Sequence, residues 1–131
     1  MDPNDLKQFK ALFIETAKKH IASMQSAIIA LQKNTTDPIA INSCYIAAHS
    51  LKGESLSLGH MSNAAVSQLL EMIFYATKEG KLAVTGDLLS AVTTAVNKLS
   101  DSIDSVEKED KECVLNDERL LLEKTSGITL T

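Results

Sequence analysis

The spacing of its apolar residues constrains this chain more than any other feature. Leu6, Phe9, Phe13, Ala17, Ile21, Met24, Ile28 and Leu31 recur in steps of three and four, which lays them along one side of an α-helix and does not suit a strand. The run predicts a long amphipathic helix over residues 4–33. "NTTDP" interrupts it, and Asp37-Pro38 reads as a restart: Asp caps the orphan amides and Pro takes the first position, where its missing N–H costs nothing. A second helix follows from Pro38 to about Leu58, with Gly59 as its stop. Ser62 or Asn63 can cap a third, carrying Val66, Leu69, Leu70, Ile73 and Phe74 up to a stop at Gly80. Thr85 or Asp87 opens a fourth, striped by Leu88, Leu89, Val92, Val96, Leu99, Ile103 and Val106.

Four amphipathic helices joined by short connections predict an all-α, antiparallel up-down four-helix bundle. The chain has 131 residues, enough for one moderate core. Only 4% of it is aromatic against 44% hydrophobic, which favours helices packed by aliphatic side chains over a sheet. The bundle is expected to occupy residues 1–107. Residues 108–131 read as a polar linker, "EKEDKE" leading into it, with "NDERLLLEK" able to form a short fifth helix and "TSGITLT" a frayed tail.

Several function classes are excluded at this level. Net charge is -4 and the basic residues are scattered lysines with the single arginine Arg119, so no phosphate-backbone footprint exists and nucleic acid is not an expected partner. No segment approaches the roughly 18 apolar residues of a bilayer span, and the start "MDPNDLKQF" does not resemble a signal peptide. A cytoplasmic protein without membrane association is therefore expected, and a monomer suffices to close one core. Cys44 and Cys113 have neither CxxC nor Cys/His spacing, and no Glu-x-x-His pairs occur, so neither a disulfide framework nor a metal site is expected. Met24, Met61 and Met72 read as gap fillers.

"AAHSLKGESLSLG", residues 47–59, does not fit a purely structural account. Ile41, Cys44, Tyr45, Ala48, Leu51, Ser55 and Leu58 form the inward stripe of the second helix, and His49 lies roughly 90° from its centre. Lys52 and Gly53 flank His49 one turn along, and the apolar Ile46 and Leu56 extend the same outer face. A glycine inside a helix costs about 1 kcal/mol relative to alanine, so Gly53 needs a reason, and close approach of a partner or a phosphate would supply one. His20, beside the apolar stripe of the first helix, and His60, in a turn, carry no such pattern and read as structural.

The motif resembles the active helix of histidine-containing phosphotransfer (HPt) domains, H-x-x-K-G followed by small residues and a later glycine. It is most similar to the N-terminal phosphotransfer domain of chemotaxis histidine kinases, over roughly residues 10–107. The resemblance implies that His49 accepts phosphate, that Lys52 lies near the phosphoryl group and that Gly53 gives clearance. It also implies that Glu71, on the next helix, faces the histidine. Where the chemotaxis branch commonly has a second histidine this chain has Gln68, which can hydrogen-bond but cannot titrate.

The chemistry asks for little else. A model imidazole is already roughly three-quarters neutral at pH 7, and a carboxylate on one ring nitrogen fixes the tautomer that leaves the other free to attack. Phosphoryl transfer then depends on positioning and charge, for which Lys52 supplies an ammonium. No Walker loop or G-x-G-x-x-G occurs, so self-phosphorylation from ATP is not expected. The chain is expected to bind no cofactor, with Mg²⁺ supplied by the partner receiver domain. That receiver is expected to dock on Ile46, Gly53 and Leu56. The alternative is an HPt-like adaptor that binds a receiver or kinase without accepting phosphate.

Overall fold

Asp2 and Asp37 begin the first two helices in the same way. The Asp2 carboxylate accepts from Asn4 N–H and that of Asp37 from Ile39 and Ala40 N–H, and each is followed by proline. In the computed structural model, which describes residues 2–130, five helices follow in order: α1 (Pro3–Lys33), α2 (Pro38–Ser57), α3 (Met61–Lys78), α4 (Gly86–Glu109) and α5 (Asn116–Ser126). Helices α2 and α3 end at Gly59 and Gly80, whose φ of 75° and 73° lets the chain turn away. The next residue in each case donates back into the last turn, His60 to Ser55 and Lys81 to Ala76, at 2.9 Å.

The four long helices form the expected bundle, with α1 against α2 and α4, and α3 against α2 and α4. The core runs through it as layers of aliphatic side chains, with Phe74, Met24, Leu31, Leu51 and Leu69 among the most enclosed. Cys44 packs in this core, and burial pushes its thiol up to about 12, which makes it a poor nucleophile. Both cysteines are free.

Three sequence expectations need correction. Leu6 and Phe9, placed on the inward stripe of α1, are 53% and 43% exposed. The buried stripe starts at Phe13, and the earlier turns keep a helical period without a helix to cover them. Second, neither Ser62 nor Asn63 caps α3, which begins at Met61. The Ser62 hydroxyl accepts from Leu115 N–H, and Glu112, from the segment after α4, accepts from Asn63 N–H. Third, the described part of the tail is packed rather than loose. Leu115 and Leu122 are buried in the main core, Ile128 and Leu130 pack against it, and α5 lies across both α3 and α4. At α4 the outcome is simpler, since Thr85 rather than Asp87 caps it by accepting from Leu88 N–H.

Candidate functional site

Helix α2 holds the site because its inner face is so firmly anchored. Ala48 and Leu51 are fully buried, so the backbone between them is fixed while His49, on the outer flank, leaves 63% of its side chain exposed. Ile46 and Leu56, at 54% and 49% exposure, and Gly53 continue the same outer face. Gly53 is helical, and a Cβ built there would meet nothing within 4 Å. Neither backbone geometry nor internal packing therefore requires glycine at this position. Whatever makes it useful approaches from outside.

Helix α3 contributes the acid. Leu70 and Ile73 are buried, which fixes the turn carrying Glu71 and directs its carboxylate toward α2, where only 16% of the side chain stays exposed. His49 Nδ1 lies 2.9 Å from Glu71 Oε2. Lys52 Nζ lies 2.9 Å from each oxygen of the same carboxylate. Burial alone pushes the Glu71 carboxyl up, but the hydrogen bonds and charges of Lys52 and His49 outweigh it and hold the group below the usual carboxylate range. Glu71 is thus ionised at neutral pH. An ionised carboxylate only accepts hydrogen bonds, so Nδ1 carries a proton, and in the neutral ring Nε2 is the nitrogen with the free lone pair.

The structure brings together His49, Lys52 and Glu71 and leaves Gln68 apart. Gln68 is exposed and makes no hydrogen bond among the described residues. Lys52 rests on Glu71 as well as beside the histidine, a pairing the sequence did not indicate. Tyr45 does more than complete the inward stripe. It is half-buried, and its ring lies roughly parallel to the His49 imidazole, with centroids 6.5 Å apart and planes 24° from parallel. The i, i+4 spacing of Tyr45 and His49 was the available signal. Among the described residues no group of His, Cys, Asp and Glu is arranged to hold a metal ion. None of their helices is long and apolar enough to cross a membrane.

The Hpt domain family model matches residues 8–105. The chain belongs to the Hpt domain family. Its sequence is 30% identical over 102 residues to the chemotaxis protein CheA of Bacillus subtilis, covering 78% of this chain and 15% of that protein. Against CheA of Listeria monocytogenes it is 25% identical over 96 residues, covering 73% and 16%. This Hpt domain therefore corresponds to a small part of those much longer relatives.

Solved structures share the fold. The solution structure of the histidine phosphotransfer domain of CheA superposes with a TM-score of 0.82 at 22% identity, covering 90% of this chain and 89% of that one. The CheA phosphotransferase domain from Thermotoga maritima gives 0.73 at 25% identity, covering 77% and 96%. The phosphorylated P1 domain of CheA3, solved in complex with CheY6 from R. sphaeroides, gives 0.79 at 16% identity, covering 89% and 91%. The helical bundle is thus a fold this chain holds in common with CheA phosphotransfer domains.

Proposed function

We propose that this Hpt domain is a phosphocarrier of a two-component relay, taking a phosphoryl group on His49 Nε2 and exchanging it with the aspartate of a receiver domain. The observation that carries the reading is the exposed imidazole whose Nδ1 is committed to Glu71 while Nε2 stays free. In the forward step the Nε2 lone pair attacks the phosphorus of an aspartyl phosphate. The N–P bond forms, the P–O bond to the aspartate breaks, and the carboxylate leaves with the bonding pair. The Nδ1 proton stays in place, so the phosphorylated ring carries positive charge, and that charge develops directly against the Glu71 carboxylate. Such preorganised electrostatics favour the transition state without any proton transfer. Lys52 neutralises part of the Glu71 charge in the resting state and supplies an ammonium near the incoming oxygens.

The partner is a receiver docked over the α2 face, with Ile46 and Leu56 as apolar contacts and Gly53 leaving room for close approach. A structural neighbour solved phosphorylated and in complex with CheY6 supports a protein partner of this kind. Mg²⁺ belongs to that partner, in whose site it would screen the phosphoryl oxygens. The relay operates in the cytoplasm and the carrier acts as a monomer, readings supported by its single closed core and by the absence of a membrane-spanning helix among the described residues.

The test is incubation with a set of phosphorylated receiver domains. Acid-labile, base-stable phosphate should appear on the protein and map to His49. Stable receiver binding with no such label would replace the carrier with the adaptor reading.

A further inference from the structure

One hydrogen bond is a weak tether for an imidazole that is largely in solvent. A charge-assisted bond of this kind contributes about 1.5–3 kcal/mol at best, and the second torsion of histidine is broad, so the ring can still swing off Glu71, and each time it does the tautomer that the carboxylate selects is released. Side chains on a helix lean toward its N-terminus, which carries His49 back over the turn that holds Tyr45. The aromatic face waiting there is itself held from α3. The Tyr75 ring lies 6.0 Å from Tyr45, centroid to centroid. The Lys78 ammonium stands 5.3 Å over the Tyr45 ring while donating to Asn42 of α2 at 3.0 Å. Tyr45 and Tyr75 also line, with Glu71, Met72 and Ile128, a cleft of about 390 Å³ beside the site.

We propose that Tyr45 is a positioning residue for His49: its ring, braced by Tyr75 and Lys78, backs the imidazole so that Nδ1 stays on Glu71 and Nε2 remains the free nitrogen. A centroid separation of 6.5 Å lies toward the outer end of aromatic pairing, so the contribution is steric and directional rather than a strong attraction. The Tyr45 hydroxyl makes no hydrogen bond among the described residues, so the flat ring is the operative part and phenylalanine should serve equally well. The functional consequence rests on His49 being the phosphoacceptor, whereas the orientation of the ring does not.

The experiment separates the two. Imidazole ¹⁵N NMR on the unphosphorylated protein, well above the titration range of histidine, reads the tautomer of His49 directly. Wild type and Tyr45→Phe should show the Nδ1–H form dominant. Tyr45→Leu, which keeps apolar bulk without a planar face, should show both tautomers and slow phosphoryl acceptance about 3- to 10-fold through kcat, with KM for the receiver unchanged. Should Tyr45→Leu fail to fold, Tyr75→Leu removes the brace from α3 and should shift the tautomers the same way. Wild-type imidazole signals in the leucine variant, a Tyr45→Phe protein that behaves like it, or a change confined to KM would each overturn the proposal. A wild-type protein that takes no phosphate sinks the carrier reading and leaves the NMR result to decide the role of Tyr45.

Discussion

Among the described residues two histidine–glutamate pairs occur, and only one of them sits on an exposed face. His49 gives Nδ1 to Glu71 at 2.9 Å, and His20 places Nε2 3.1 Å from Glu54. The residue types and distances nearly match. The differences lie in exposure and in which nitrogen is committed. The His49 side chain is 63% exposed and that of His20 27%. The nitrogen far from the backbone is free on His49 and occupied on His20. Lys52 completes the first pair, whereas Glu54 has no cation and its second oxygen is buried without a partner among the described residues. The first pair presents an exposed imidazole nitrogen, the nucleophile of the proposed transfer, and the second joins α1 to α2. A histidine beside a carboxylate is therefore no signature in itself; the helix face it occupies decides what it can do.

The largest test of this contrast is removal of the rings. His49→Gln should abolish acid-labile labelling by phosphorylated receivers, while His20→Gln should keep it. Label that survives in the first and vanishes in the second would invert the assignment. Next come the carboxylates. Glu71→Gln should slow phosphoryl acceptance about 10- to 100-fold, the worth of one charge-assisted hydrogen bond. Glu54→Gln should leave the rate alone and change unfolding free energy in urea by about 1 kcal/mol.

A smaller effect is expected at Gly53. Space for a Cβ and ordinary helical geometry mean that Gly53→Ala should stabilise the isolated protein by about 0.5–1 kcal/mol. Transfer from a receiver should nonetheless slow, by a few-fold, because the added methyl stands on the docking face. A stabilised variant with unaltered transfer would remove the case for external clearance.

The smallest effect is the pH dependence of stability. Glu71 has a folded-state pKa below its ordinary value of 4.5. Its contribution is therefore fully present above that value and is lost as pH falls through the lower, folded one. The stability gap between wild type and Glu71→Gln, measured by urea unfolding, should be constant near neutrality and close in acid. A gap that opens with acidification would mean that the carboxylate is not held in its charged form.

Much of this was legible before any coordinates. The three-and-four spacing determined four helices and their buried faces, because a helix must hide a continuous stripe and only that period makes one. Asp37-Pro38 and the glycines at 59 and 80 marked real ends, since capping is local chemistry. The position of His49 off the stripe followed from the same geometry.

Tertiary structure decided what depends on distant residues. Leu6 and Phe9 kept the period yet stayed exposed, because burial needs a neighbour as well as a pattern. The cap of α3 came from Glu112 and a polar chain in which Ser102 donates to Asn63 and accepts from Cys113 N–H, bonds that span 11 to 49 residues and leave no local mark. That chain fastens the polar tail, whose few apolar groups then find a groove on α3 and α4. The bond from Lys52 to Glu71 and the placing of Tyr45 against His49 arose in the same way. The sequence by itself determined which residues share a helix face, and packing alone decided which faces are covered and which residues meet, because contact across helices depends on their relative placement, which no single stretch of chain encodes.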